Sequence, residues 1–338
     1  MSNLATLYRA TGRYADAEPL YRRALEIREK ALGDKSVDVA SSLNSLGDLE
    51  RSQGRYAEAE SLYRRSLAIW EQAMGPQHPD VAACLNNLGE VCRLQKRYDE
   101  AEPFFRRSLE IWEKTFGDSH PKVAVGLNNL AALHASRREY AEAEKLFRQA
   151  IAVWEKAYGP QYAEVGYALH TLAQMARVQG NYNAAESLYQ RSLAIVEKSL
   201  PAGNRDVARI LTEMAELYRV ERRNSEAEML YEKAIPLLEK AAGAESQEMA
   251  ASLNALAELY RLDRRYSKAE PLYRRSLAIL ENAPGLENAP GPHRAALDNG
   301  LKNFAAMLRQ MKRKAEATEL DRRIDALARQ QGFLAGRK

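Results

Sequence analysis

The sequence predicts an all-α protein, a right-handed α-solenoid of about eight stacked antiparallel helix pairs. Three observations predict it. The pair Ala-Glu recurs at 17-18, 59-60, 101-102, 143-144, 185-186, 227-228 and 269-270, a constant spacing of 42 residues. Each copy holds two stretches with apolar residues at helical spacing, joined by a short turn. A helix pair with one apolar face cannot bury it alone, and stacked copies bury a continuous core.

The pattern around each Ala-Glu pair is the same. An aromatic stands three residues before it at Tyr14, Tyr56, Tyr98, Tyr140, Tyr182 and Tyr266, with Asn224 as the exception. Another stands four residues after the alanine, at Tyr21, Tyr63, Phe105, Phe147, Tyr189, Tyr231 and Tyr273. A small residue follows at Ala24, Ser66, Ser108, Ala150, Ser192, Ala234 and Ser276. In the second copy, one helix is predicted from Val37 to about Gln53 and the other from Tyr56 to about Met74. Gly12, Gly54 and Gly180 suit a left-handed helix end, and Pro79 and Pro121 suit a first helical position.

Two ends of the array depart from the pattern. Met1 aligns with Leu43, so the first helix lacks about six residues of the later copies; a late start codon or a repeat region of something longer would each account for it. The hexapeptide Glu281 to Leu286 is followed by its near copy from Glu287. An eighth unit around Lys314 to Leu320 consequently arrives six residues late. A loop absorbs such an insertion where a helix would lose register. Asp321 replaces the aromatic there, consistent with a polar cap. Pro236 inside a second helix predicts a kink or altered curvature. The expected organisation is one solenoid over residues 1-330 and a flexible tail at 331-338.

Composition narrows the function. The chain has 338 residues, 46% hydrophobic and 28% charged, with a net charge of +4, which is globular rather than disordered. It has no run of about 18 apolar residues and no basic patch followed by an apolar stretch, so a soluble chain in the cytoplasm is expected. Cys84 and Cys92 on one helix lie about 12 Å apart along its axis, too far for a bridge. No metal or cofactor site is expected, since the five histidines are scattered and no Cys-x-x-Cys pair occurs. His134 and Cys92 fall at a packing position, and His78 and His120 precede loop prolines where a capping role is expected. Phosphate loops, nucleophile elbows and acidic metal clusters are missing from the sequence, and an enzyme is not expected.

A small residue on the first helix (Gly47, Gly89), a Tyr opening the second, then Ala59, Tyr63 and Ser66 resemble a tetratricopeptide repeat. The 42-residue period, with loops such as Gly75 to Ala82 followed by Leu85-Asn86-Asn87-Leu88, is similar to the kinesin-light-chain type of that repeat. The resemblance implies a helical solenoid, an adaptor role, and ligands held by the first helix of each pair.

On that face two columns stand out. One runs Asn44, Asn86, Asn128, His170, Thr212, Asn254, Lys302, doubled by Asn87 and Asn129; the other, seven residues on, runs Arg51, Arg93, Ala135, Arg177, Arg219, Arg261, Arg309. Two helical turns apart, they share one face. Asn pairs with both groups of a peptide unit, and Arg offers planar forks to carboxylates. Repeats 2 to 4 hold the purest Asn run and are the expected principal site. Two rival readings stand beside it: Asn as an inter-helix bond, and Arg neutralised by Asp48, Glu90, Glu216 and Glu258 three residues before. Trp70, Trp112 and Trp154 read as inter-repeat packing rather than a binding ladder. The arginine pairs 22-23, 64-65, 106-107 and 274-275 read as a solvated outer face.

The expected function is a non-enzymatic protein-protein interaction scaffold. It would hold an extended peptide or partner segment, with acidic groups as the chemistry the arginines take. The alternative is a regulatory or self-associating arm of a larger multidomain signalling or effector protein. A basic superhelix on RNA is the least supported reading; no nucleic acid and no membrane partner is expected, and the oligomeric state is not readable.

Overall fold

The structure, a computed structural model, describes residues 2–199, 204–242, 246–282 and 292–335. Among the described residues there are sixteen helices and no strand. They alternate as first and second helices of successive repeats: α1 (Ser2–Ala10) and α2 (Tyr14–Leu32), α3 (Val37–Ser52) and α4 (Tyr56–Met74), α5 (Pro79–Leu94) and α6 (Tyr98–Phe116), α7 (Pro121–Ser136) and α8 (Tyr140–Tyr158). The series continues with α9 (Ala163–Val178) and α10 (Tyr182–Ser199), α11 (Arg205–Val220) and α12 (Asn224–Ala242), α13 (Gln247–Leu262) and α14 (Tyr266–Asn282), α15 (Pro292–Gln310) and α16 (Lys314–Ala335). The chain is an all-α solenoid of about eight helix pairs. Most of the duplicated hexapeptide, 283–291, lies outside the described residues. Of the expected tail, α16 reaches Ala335 and 336–338 lie outside them. Helix α12 runs on through Pro236 without a break.

Contacts divide the chain into two compact units, 1–168 and 169–338, with the boundary inside α9. Within unit 1, each first helix packs on its own second helix, and α2, α4 and α6 pack on the first helix that follows. The first helices also meet one another, α1 on α3, α3 on α5 and α5 on α7. Unit 2 repeats the arrangement, with α12 on α13, α14 on α15 and α13 on α15.

The recurring residues explain why the pairs close. Every alanine of the Ala-Glu pairs is fully buried. The aromatic four residues on packs against the small residue of the first helix: a Cβ added to Gly47 would stand 2.7 Å from the Tyr63 ring, and one added to Gly89 2.8 Å from Phe105. Only glycine permits that approach. The small Ser66, Ser108 and Ser276 hydroxyls donate to the carbonyls of Ala40, Ala82 and Ala250 at 2.7–2.8 Å, tying second helix to first.

Caps and turns set the helix ends. His78 and His120 are N-caps whose Nδ1 accepts from the Asp80 and Lys122 amides at 3.2 and 3.1 Å, one residue before the prolines that open α5 and α7. The turn inside each pair needs a left-handed residue. Gly12, Gly54 and Gly180 supply it at φ 74–78°, while Lys96, Arg138, Arg222, Arg264 and Lys312 take the same conformation at φ 57–64°.

The glutamate of the Ala-Glu pair has a role that its recurrence alone did not reveal: it accepts from an arginine of the following repeat. Arg55 donates to Glu18 at 2.6 Å, Arg97 to Glu60 at 2.6 Å, Arg223 to Glu186 at 2.7 Å, Arg265 to Glu228 at 2.7 Å and Arg313 to Glu270 at 2.6 Å. In repeat 4 the arginine's place is taken by Glu139, which meets buried His134 at 2.5 Å, and Arg137 reaches Glu102 instead. The arginine pairs of the second helices are also matched: Arg22, Arg64, Arg106 and Arg274 meet Glu18, Glu60, Glu102 and Glu270 four residues before. Arg65, Arg107 and Arg275 meet Glu29, Glu71 and Glu239 of the preceding second helix.

Candidate peptide-binding face

In unit 1 the asparagines stand half-buried at mid-helix on α3, α5 and α7 and form a ladder. The Asn87 amide donates to Asn44 Oδ1 at 3.1 Å and lies 3.4 Å from Asp48 Oδ1; Asn129 donates to Asn86 Oδ1 at 2.8 Å; Asn128 donates to Asn129 Oδ1 at 3.3 Å. The inter-helix role weighed in the sequence is therefore present. A primary amide has two donor hydrogens and two acceptor lone pairs, so rungs that use one or two of these leave hydrogen-bonding capacity unused.

Beside Asn86 and Asn87 lies a recess of about 320 Å³. Its floor and walls are Ala83 of α5, Trp112 of α6, His120, Pro121, Lys122 and Val125 around the start of α7, and Trp154, Tyr158 and Tyr162. The walls are aromatic and mutually braced: Trp154 and Tyr162 meet edge-on at 6.2 Å, Tyr158 and Tyr162 at 4.5 Å, and Phe116 stacks on the His120 ring at 4.4 Å. Lys122 Nζ stands 5.7 Å from the centre of the Trp112 ring. Trp70, Trp112 and Trp154 are buried, as inter-repeat packing requires, yet the last two also wall this recess. Lys122, Tyr158 and Tyr162 were not singled out in the sequence, because they sit at loop-proximal positions that the repeat does not keep constant.

In unit 2 the same column carries different chemistry. His170 is buried and its Nε2 meets Glu213 Oε2 at 2.9 Å; Gln174 donates to Glu213 at 2.9 Å and Tyr189 at 3.1 Å. Burial opposes the Glu213 charge, but the bonds from His170, Gln174 and Tyr189 prevail and hold its carboxyl below the usual range. His170, expected on the ligand side, is thus occupied inside the helix layer: an imidazole larger than an amide fills the gap to α11. Thr212 and Ser252 face each other at 3.5 Å. Asn254 keeps a buried Oδ1 without a hydrogen-bond partner.

The arginine column is mostly neutralised. Arg93 forks onto Glu90 at 2.7 and 2.8 Å and reaches Ser136 at 3.3 Å; Arg219 meets Glu216 at 2.7 Å, Arg261 meets Glu258 at 2.5 Å, and Arg309 meets Asp321 at 2.6 Å. Arg51 and Arg177 differ. Asp48 is one carbon shorter than glutamate and stays 3.9 Å from Arg51, and Gln174 takes the acid's place before Arg177; each guanidinium keeps a buried Nε without a partner. In unit 2 a recess of about 410 Å³ is lined by Arg261, Leu262, Arg264, Tyr266 and Gln310.

Among the described residues no cluster of three or more His, Cys, Asp or Glu side chains suits a metal ion, and no helix is long and apolar enough to cross a membrane. Cys84 is a structural thiol: its Sγ donates to the Tyr63 carbonyl at 3.1 Å and burial pushes it up to about 12.

A model of the tetratricopeptide repeat matches residues 1–72, 38–114, 85–150, 123–198 and 206–282. The chain belongs to the tetratricopeptide-repeat family. No curated protein matches it. Among solved structures, this tetratricopeptide-repeat chain is similar to a signal transduction ATPase with numerous domains and a tetratricopeptide-repeat sensor from Pyrococcus horikoshii. The TM-score is 0.73 at 15% identity, over 96% of this chain and 47% of that one. The apo quorum sensor NprR from B. thuringiensis follows at 0.60 and 16%, over 96% and 86%. A putative kinesin light chain of nearly identical repeats from Podosopora anserina is 23% identical at 0.49, over 59% and 93%. At 15% and 16% identity, the likeness to the first two is one of fold.

Proposed function

We propose that this chain is a non-catalytic protein-protein interaction scaffold that holds an extended partner segment on the first-helix face of repeats 2 to 4. The observation that carries the reading is the recess at Asn86 and Asn87, where amides that can pair with a peptide backbone border aromatic walls and one lysine. Aromatic walls take an apolar side chain, the amides hold main-chain groups, and Lys122 favours a carboxylate close by. The acidic preference therefore rests on Lys122 and on the incompletely paired Arg51 more than on Arg93, Arg219 and Arg261, whose forks already hold glutamates. The carboxylates facing the second-helix arginines weigh against a phosphate-binding stripe.

The test is titration of the whole chain with an array of extended acidic peptides, comparing wild type with Asn44, Asn86 and Asn128 all changed to Ala. Each lost bond is worth about 1 kcal/mol, so the triple variant should bind about 100-fold more weakly. Circular dichroism melting confirms that the variant is folded. Unchanged affinity in a folded triple variant would move the site off this face.

A further inference from the structure

Lys122 stands where helix physics favours an acid. The second residues of the first helices from α3 to α13 are Asp38, Asp80, Lys122, Glu164, Asp206 and Glu248, and of these helices α7 alone has no acid in its first turn. The positive end of the helix dipole disfavours a cation there. Nothing in the fold offsets it. Among the described residues the ammonium has no ion pair and no hydrogen bond, and it stands over the Trp112 ring at 5.7 Å. A local rule broken without a structural gain marks a position under functional demand.

The surroundings say what the demand is. By register, the preceding repeat has a similar aromatic frame, with Trp70, Trp112 and Phe116 for Trp112, Trp154 and Tyr158, but Asp80 in the lysine's place. The recess of about 320 Å³ joins such a frame to a cation, and no Asp or Glu is among the described residues that line it. On its rim Asn86 accepts from Asn129 through Oδ1, which leaves its amide hydrogens as donors. Trp and Tyr faces also attract cations, but Lys122 already stands against them and repels a second. The charge left to recognise is negative.

We propose that this recess binds a small amphipathic anion, an aromatic ring joined to a carboxylate by a short aliphatic tether. The inference rests on the recess being a contact site, as proposed above, and names what fills it. The ring packs among Trp112, Trp154, Tyr158 and Tyr162, and the carboxylate meets Lys122 Nζ and the Asn86 amide. With Nζ 5.7 Å from the Trp112 ring centre, a carboxylate held about 2.8 Å from it stays beside the aromatic walls. Ring and charge therefore belong to one unit rather than to separate residues of an extended segment. The volume, at the low end for small-ligand pockets, suits one such unit.

The test titrates the full chain with hydrocinnamate, followed by tryptophan fluorescence and by saturation-transfer NMR of the probe. Two of the three tryptophans, Trp112 and Trp154, wall the recess. A ligand this small should bind with a dissociation constant of about 0.1–1 mM. Hydrocinnamamide keeps the ring and loses the charge, and should bind about tenfold or more weakly; phenethylammonium should bind more weakly still. Lys122→Asp should remove the preference for acid over amide and leave the melting midpoint as high or higher, because it restores the first-turn acid. A lysine kept for structure would give the reverse. Tyr158→Ala, at an exposed side chain, should weaken acid and amide alike. Acetyl-Ala-Ala-Phe with a free end separates the sources of the anion: tighter binding than hydrocinnamate assigns it to a chain terminus, weaker binding to a free acid. Absence of hydrocinnamate binding, equal binding of acid and amide, or a preference that survives Lys122→Asp overturns the inference, and acidic-peptide binding through the Asn ladder would then stand alone. Hydrocinnamate bound through Lys122 with no peptide bound supports it and removes the extended-segment reading instead.

Discussion

Repeats 2 to 4 of unit 1 and repeats 5 and 6 of unit 2 use the same first-helix column for different purposes. In the first, Asn44, Asn86 and Asn128 lie in a ladder of amides through Asn87 and Asn129, with Asp48 at the edge of the Asn87 rung and each amide using part of its capacity. In the second, His170, Gln174 and Tyr189 converge on one carboxylate, Glu213, and satisfy it from three sides. The fold tolerates both because the column's backbone is fixed by the buried alanines and aromatics, not by its polar side chains. The amide ladder is half-buried and keeps unused hydrogen-bonding capacity, whereas the Glu213 carboxylate is satisfied within the helix layer. Under the proposed function, the first is the column that binds and the second the one that mainly holds.

Removing one member of each network tests this most directly. His170→Ala takes a donor from a half-desolvated carboxylate and should destabilise unit 2 by about 2–3 kcal/mol. Asn87→Ala leaves Asn44 to turn to water and Asp48 with its Tyr63 donor, and should cost about 1 kcal/mol in unit 1. Because stacked repeats open in parts, the effect is read by hydrogen exchange over 163–220 against 37–94 rather than by one melting point. Equal losses would erase the distinction.

Acid sharpens it. The Glu213 carboxyl is held below its unfolded value, so it adds stability at neutral pH that is lost as pH falls through and below the ordinary carboxylate range, about 4. The amide ladder does not titrate. Wild type should thus lose protection over 163–220 on acidification, and Glu213→Gln should show a flatter profile there while starting from lower stability at neutral pH. A profile that the substitution leaves untouched would mean that other carboxylates set the acid response.

Much of this was legible in the chain. The period, the helix bounds at Val37, Tyr56 and Met74, the proline openings and the histidine caps follow from local rules that no distant contact overrides. The Asn column was visible for the same reason, since a residue's face on a helix follows from its number. What the column does was not, because whether Asn87 meets Asn44 or a ligand depends on the separation of helices 43 residues apart in sequence. Nor was the recess: Trp112, Lys122 and Tyr158 come from three helices and share no spacing. The close forks of Arg93 and Arg261, against the long 3.9 Å contact of Arg51, differ by one methylene, that between glutamate and Asp48.

The turns give the smallest effect and a comparison that runs across both units. Position 12 of each repeat is left-handed whatever residue holds it; glycine enters that region freely, whereas a side chain with a Cβ is strained there. Lys96 and Arg138 in unit 1 and Arg222 and Arg264 in unit 2 therefore carry strain that Gly54 and Gly180 do not. Changing any of the four to Gly relieves it but adds freedom to the unfolded chain, leaving a net gain of about 0.5–1 kcal/mol. Gly54→Ala and Gly180→Ala should lose about as much. Urea midpoints of the single variants measure both signs. If Lys96→Gly gains and Arg222→Gly does not, the turn of unit 2 owes its shape to the Arg223 ion pairs beside it, with Glu186 and Glu226, rather than to the residue at its bend.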